Sequence, residues 1–326
     1  MSKRLMLILL LLILFPLFGC KSTTEMTGMI FAFNTTVEIR IKSKDYKLEE
    51  LEDIYKEVVY ILSDYSKLSD NFKKYDGINN IYTINHKNDY VEVSDKLIDL
   101  INESIRLMNE TNGYFNPYIG KLSKIYKDII EYEKLPDNFN ELISKEVNNI
   151  NEGKIEIEGN KVKIIGDIEL DLGGVSKGYV LDIIKEYLDS KNIHDYLINA
   201  GGSSILLGEK NKNKGYYKIA SKYDSNKVFK IKNKVLGTSS IYEQSVTINN
   251  KLYHHIINPF TGLVNNNYDC IYIIGNGGAI IDSYTTAFFN MDLEEIKEFI
   301  KDKELSIIIY NNNSILYSNS EGDFYG

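Results

Sequence analysis

The chain has 326 residues, 43% of them hydrophobic, enough to bury a sizeable core as one large unit or two intimate ones and to exclude intrinsic disorder as the default state. Its net charge is −8, with the basic residues scattered among acidic ones, so no face is basic enough to track a phosphate backbone and nucleic acid is not expected as a partner. The 25 Tyr and 13 Phe, no Trp and abundant Ile, Asn and Lys are attributed to an AT-rich genome and carry no functional reading.

Lys3 and Arg4 precede an apolar run beginning at Leu5 that ends in Leu17-Phe18-Gly19-Cys20. The run is short for a membrane span and suits a signal-peptide core; an uncleaved anchor is the alternative. The four residues up to Cys20 resemble a lipobox, although Phe18 is bulky for its place, and Lys21-Ser22-Thr23-Thr24 reads as a polar tether. Residues 1–19 are therefore expected to be a lipoprotein signal, 20–30 the lipidated cysteine and tether, and 31–326 one domain held at the extracytoplasmic face of the cell membrane. Cleavage would leave Cys270 as the remaining thiol, read as a buried strand residue.

A strand is expected from Phe31 to Ile41. Helices follow from the spacing of Leu51, Ile54, Val58, Ile61, Leu62 and Tyr65, and of Leu97, Ile98, Ile101, Ile105 and Met108, the second closed by Gly113. Lys154 to Ile165 alternates around Gly159-Asn160 as a hairpin. Ser176 is read as the cap of a third helix carrying Val180, Ile183, Ile184, Tyr187 and Leu188 on one stripe. Strands at Tyr196–Asn199 and Cys270–Ile274, a helix start from Asp282 to Met291 and a hairpin over Leu305–Tyr317 complete an α+β order, a single compact domain of mixed sheets with flanking helices rather than a repeated βαβ wind.

Four segments carry polar chemistry. Asp171-Leu-Gly-Gly-Val-Ser-Lys-Gly-Tyr179 passes from a strand through two glycines into a helix, which either aims N–H groups at an anion or is simply a turn that needs glycine. Leu197-Ile-Asn-Ala-Gly-Gly-Ser-Ser204 again ends a strand on paired glycines. In Tyr253-His-His-Ile-Ile-Asn-Pro-Phe-Thr-Gly262 adjacent strand histidines face opposite ways, so only one can enter a given cleft; such a histidine is as readily structural as catalytic. In Asp282-Ser-Tyr-Thr-Thr286, a carboxylate and a hydroxyl four residues apart share one helix face and suit Mg²⁺, unless Asp282 only caps the helix.

Taken together with Gly237-Thr-Ser-Ser-Ile-Tyr-Glu-Gln244, these motifs resemble, in order and spacing from Phe31 through Met291, the ApbE family of FAD:protein FMN transferases. The resemblance implies Mg²⁺-dependent transfer of FMN from FAD, with release of AMP, to a Thr or Ser hydroxyl of an acceptor protein, expected to be a membrane-associated redox subunit. It implies that Asp171 and Lys177 lie against FAD, that the Gly174 carbonyl, Asp282 and Thr286 hold Mg²⁺, and that His255 is the catalytic histidine, with Asp282 as the second choice of base. Tyr114, Phe115 and Asn116 would form a loop touching FAD, with Ile257 near the flavin nucleotide and Phe33 in the family's N-terminal MGT element. Replacing His254 by alanine is expected to cost flavin transfer little. Asn116 and Asn258 replace family aspartates, and Tyr118 stands where Thr is common, which leaves FAD hydrolysis to FMN and AMP, or a flavin-binding lipoprotein without catalysis, as the rival readings.

Overall fold

The computed structural model describes residues 23–210, 215–224, 227–320 and 324–325; the expected signal, Cys20 and the first tether residues lie outside them. Apolar alternation lays down β1 (Thr24–Ala32) and β2 (Thr35–Ser43) as a hairpin. The single strand expected from Phe31 is therefore two, because Phe33 and Asn34 both take left-handed φ values of 52° and 55° and reverse the chain, the geometry that suits the twist of a two-residue hairpin. Residues 24–30 of the expected 20–30 tether are thus strand and part of the folded domain.

Helices α1 (Leu48–Leu68), α2 (Ile81–Asn85), α3 (Asp95–Glu110), α4 (Gly120–Tyr132) and α5 (Phe139–Glu152) come next. In α1 the predicted stripe is buried as Leu51, Ile54, Val58, Ile61, Leu62, Tyr65 and Leu68, each large aliphatic side chain contributing about 1.5–3 kcal/mol. In α3 the expected terminator works as proposed: Gly113 is left-handed and its N–H returns to the Met108 carbonyl at 2.8 Å. The hairpin around Gly159-Asn160 is β4 (Lys154–Glu158) and β5 (Lys161–Ile165), joined by β3 (Val91–Glu92).

The third helix, α6 (Ser176–Ser190), starts one residue earlier than expected of a Ser cap. Val175 occupies the cap position, and the Ser176 hydroxyl instead donates to the Leu172 carbonyl at 2.8 Å. The remaining strands are β6 (Asp195–Ala200), β7 (Ser204–Leu207), β8 (Tyr217–Ala220), β9 (Val228–Ile231), β10 (Lys234–Ser240), β11 (Ser245–Ile248), β12 (Lys251–His254), β13 (Cys270–Gly275), β14 (Ser306–Asn311), β15 (Ser314–Ser318) and β16 (Phe324–Tyr325). Between them lie α7 (Gly278–Phe289) and α8 (Leu293–Ile300).

An eight-stranded sheet in the order β1-β2-β6-β7-β10-β13-β14-β15, antiparallel throughout, organises the molecule. One face, with Val37, Ile39, Ile198, Leu206, Ile271 and Ile307, packs under the helices. The other, with Leu197, Leu207, Leu236, Tyr272 and Ile308, is covered by the small β16-β9-β8 sheet through Tyr217, Phe229 and Ile231. Buried on both faces, β13 is apolar over its whole length. Its Cys270 is buried as expected, and burial pushes the thiol up to about 12, far from a reactive thiolate. Mixed helices and antiparallel strands bear out the α+β reading. Among the described residues no helix is long and apolar enough to cross a membrane.

Candidate active site between two helix starts

Helix α7 is buried almost all round, yet it carries Asp282, Ser283 and Thr285 into the interior. Buried polar groups of this kind need partners. For Asp282, only 5% exposed, they come from other elements. Its Oδ2 accepts the Gly178 N–H at 2.6 Å and its Oδ1 accepts the Ser204 hydroxyl at 2.6 Å. Asp282 lies in the second turn of α7 and so is no cap of its own helix; it reaches across to the start of α6. Burial drives its pKa up to about 6, against the opposing pull of Lys177, Ser204 and the Gly178 N–H.

Close approach of the two helices explains the glycines. A Cβ on Gly178 would sit 2.0 Å from the Gly278 carbonyl oxygen, and one on Gly278 would sit 2.2 Å from that of Gly178. The backbones touch, and no other residue fits. A Cβ on Gly174 would lie 3.2 Å from both Thr286 Oγ1 and the Phe115 ring, so the loop before α6 rests on the hydroxyl of α7. Thr286 Oγ1 itself donates to the Asp282 main-chain carbonyl at 3.2 Å, and both residues meet the segment that opens α6, Asp282 at Gly178 and Thr286 at Gly174.

Asp282, Thr286 and the Gly174 loop thus converge. The donor set is oxygen only: one carboxylate, one hydroxyl and a backbone carbonyl. Such an oxygen-only set would suit Mg²⁺, an ion bound by one or two carboxylates with the rest of its shell from water and substrate phosphate; among the described residues no group of three or more His, Cys, Asp or Glu is placed to hold a metal. The buried carboxylate, its ionised form raised in energy by desolvation, fits such a cation.

His254 and His255 diverge as strand geometry requires. His254 is fully buried, edge-on to Phe289, its Nδ1 accepting the Ile256 N–H at 3.2 Å and its Nε2 donating to the Asn265 carbonyl at 3.1 Å. Burial lowers its pKa to about 4, so it stays neutral and structural. It fills the core and satisfies two backbone groups, a structural role away from the reacting groups. His255 is exposed, yet the protein around it lowers its pKa, first by desolvation and also through Lys177, with Asp171 and Glu243 opposing. Its Nδ1 faces the Gln244 carbonyl at 3.4 Å; a carbonyl can only accept, so Nδ1 carries the proton and Nε2 keeps a free lone pair.

Lys177 is within electrostatic reach of both Asp282 and His255, and Asp171 within reach of His255, which gathers four of the expected residues into one place. Phe115 joins them through Gly174, and the 114–118 loop is tied to the same segment by the Asp171 N–H on the Pro117 carbonyl at 2.8 Å. Other expectations are reshaped. Asn116 Oδ1 accepts the Tyr118 N–H at 2.9 Å, and Asn258 Oδ1 accepts the N–H groups of Phe260 at 2.9 Å and Thr261 at 3.3 Å. Both side chains brace local turns, for which an amide oxygen serves as well as a carboxylate. Tyr114 stacks edge-on to Phe260 and donates to Glu295. The Ile257 side chain belongs to the core, and its carbonyl is held by Asn290 Nδ2 at 3.1 Å, so only backbone there can meet a nucleotide. Phe33 lines a 250 Å³ cavity with Phe31, Asn34, Ser66 and Asp70, none of them part of the Asp282 cluster. A 610 Å³ cavity along Leu135–Glu141, Lys251 and Tyr253 also holds none of these residues.

The profile of the ApbE family matches residues 33–309. The chain belongs to the ApbE family. Among individual relatives, the FAD:protein FMN transferase of Klebsiella pneumoniae (strain 342) is 28% identical over 167 residues, 47% of this chain and about half, 49%, of that protein. That of Chlamydia muridarum is 22% identical over 284 residues, 85% of this chain and 86% of that protein. Of solved structures, the ApbE protein of Thermotoga maritima superposes with a TM-score of 0.76 at 21% identity, covering 88% of this chain and 94% of that one. The flavin transferase ApbE of Vibrio cholerae gives 0.74 at 19% identity, covering 92% and 98%. The fold of this ApbE-family chain is therefore shared, and its site residues stand on the geometry above. Ser204 and Asp182, absent from the sequence expectations, belong to that geometry. Ser204 closes a glycine pair whose purpose was not legible, and Asp182 sits four residues after Gly178 as Asp282 sits four after Gly278.

Proposed function

We propose that the chain is an FAD:protein FMN transferase that moves FMN from FAD to a Thr or Ser hydroxyl of an acceptor protein and releases AMP. The observation that carries this reading is the meeting of Asp282, Thr286 and Gly174 at one helix crossing, with Lys177 and the exposed His255 within electrostatic reach. Asp282, Thr286 and the Gly174 carbonyl would hold Mg²⁺, which when bound supplies neutralisation of the pyrophosphate charge. Lys177 adds positive charge on the same side. Nε2 of His255 takes the proton of the acceptor hydroxyl as its oxygen bonds the FMN phosphorus and the bond from that phosphorus to the AMP oxygen breaks. The product is a phosphoester-linked flavoprotein plus AMP.

Water in place of the hydroxyl would give FMN and AMP, and a binding protein would release neither. Turn geometry at Asn116 and Asn258 favours catalysis over mere binding, since the two replacements leave their local hydrogen bonding intact. Mg²⁺-dependent AMP release excludes the binding protein, and covalent flavin on an acceptor excludes hydrolysis.

We further propose that the protein is lipidated at Cys20 and held on the extracytoplasmic face of the membrane, where a membrane-associated redox subunit would be its acceptor. Support comes from the short apolar run, the small Gly19 and the polar residues after it. Cys20→Ser is expected to yield a protein without acyl modification and with weakened membrane retention. Mass spectrometry showing an unmodified Cys20 in the mature membrane-bound protein would contradict this.

A further inference from the structure

Two helices meet at the site, and neither carries a polar side chain at its own cap position: Val175 precedes α6 and Gly277 precedes α7, with no side-chain capping bond at either. First-turn N–H groups of a helix cannot be satisfied within it, and the positive end of the dipole favours an anion there. Each helix supplies that anion to the other. Asp282 of α7 accepts the Gly178 N–H of α6 at 2.6 Å, and Asp182 of α6 accepts the Gly278 N–H at 2.6 Å and the Ala279 N–H at 3.0 Å of α7. Sequence repeats the device, as Gly178-Tyr-Val-Leu-Asp182 and Gly278-Ala-Ile-Ile-Asp282. Their glycines are the contact point, and their aspartates, one turn on, reach back across it.

We propose that Asp182 is a positioning residue for the metal site: with Asp282 it forms a reciprocal clamp that fixes α7, the helix of Asp282 and Thr286, against the Gly174 loop that leads into α6. The inference rests on the function proposed above. The expected ligands sit on two elements distant in sequence, so their separation is set by how the helix starts are pinned. Asp282 does double duty, pinning α6 and facing the ion, whereas Asp182 only pins. An asparagine at 182 keeps one acceptor but turns an NH₂ toward one of the two donating N–H groups of α7, so the start of that helix must shift. Ion affinity is sensitive to such displacement, since outer partners that orient ligands typically account for about ten- to a hundredfold.

The test uses the full-length protein with Mg²⁺ and FAD. Asp182→Asn is expected to raise the half-saturating Mg²⁺ for FAD turnover by at least about tenfold while kcat at saturating Mg²⁺ stays within about threefold. The rise in Tm on adding a fixed Mg²⁺ concentration should shrink accordingly. Asp182→Ser, with a smaller acceptor, serves where the Asn variant does not fold. An unchanged Mg²⁺ requirement in the folded variant, with only a lowered Tm in the absence of metal, overturns the inference and leaves Asp182 a plain helix cap. Asp282→Asn, measured in parallel, separates the two readings. If it too keeps the wild-type Mg²⁺ requirement, the metal site itself is wrong; if it alone loses that requirement, only the positioning role falls.

Discussion

Asp282→Ala is expected to abolish the proposed Mg²⁺-dependent turnover of FAD. The site has a single carboxylate, and what remains after its removal, a hydroxyl and a carbonyl, is too weak a donor set for a divalent cation that gives up its water reluctantly. Loss of one preorganised electrostatic group at a transferring phosphoryl costs on the order of 10²–10³ in rate, and here the loss extends to the ion. The substitution also frees the Gly178 N–H and the Ser204 hydroxyl, both bonded to this carboxylate at 2.6 Å. An unsatisfied buried donor costs about 1–3 kcal/mol, so Tm should be followed with the activity. Thr286→Ala is milder, since Asp282 stays. Full activity with unchanged Mg²⁺ dependence in Asp282→Ala would reduce Asp282 to a structural anchor of α6.

The second large effect separates the adjacent histidines. His255→Ala lowers FMN transfer by at least about a hundredfold, the lower end of what a general base contributes, while FAD still binds. His254→Ala behaves oppositely. It opens a void beside Phe289 and strands the Ile256 N–H and the Asn265 carbonyl, so Tm falls while kcat of the folded protein is largely kept. The pH profile adds a sign. Desolvation by the surrounding protein, with Lys177 adding to it, lowers the pKa of His255, so the free base persists to lower pH than an ordinary histidine allows. At saturating Mg²⁺, which would hold Asp282 ionised below its metal-free value of about 6, the rate should decline at lower pH than an ordinary histidine base would give. That acid limb should be missing in His255→Ala. Equal, small losses in the two alanine variants would remove His255 from the mechanism.

Helices with an apolar stripe were legible because their period is local, and so were hairpins marked by Gly159-Asn160 or lying in β-branched runs. The turn at Phe33-Asn34 was not, since nothing in Phe signals a left-handed residue. Among the described residues, every non-glycine residue with positive φ apart from Phe33 and Glu133 is an asparagine, including Asn249 and Asn250 between β11 and β12 and Asn312 and Asn313 between β14 and β15. Asparagine tolerates that conformation better than other side chains, so its abundance, read as base composition, does turn work in this chain. Strands β8 to β11 were not read from the sequence; Asn233, between β9 and β10, is another such turn residue.

At the site, the i, i+4 spacing of Asp282 and Thr286 foretold their shared face, and strand alternation foretold the divergence of His254 and His255. Neither rule could pair Asp282 with Ser204, or Asp182 with Gly278, because those contacts join elements about 80 to 100 residues apart in sequence and exist only once the helices cross. The repeated Gly-x-x-x-Asp spacing was the available signal. It reads as ordinary helix sequence until the two glycines are seen in contact.

Incubation of the protein with FAD, Mg²⁺ and candidate acceptor domains, followed by denaturing electrophoresis with in-gel flavin fluorescence and mass analysis of the acceptor, tests the central claim most directly. The account predicts fluorescence that survives denaturation, an acceptor heavier by one FMN phosphoester on a Thr or Ser, and one AMP released per flavin bound, all dependent on Mg²⁺ and absent in Asp282→Ala. AMP and free FMN formed in equal amounts, with no acceptor labelled, would make the protein a hydrolase of FAD; no AMP under any condition would leave it a flavin-binding protein and contradict the account.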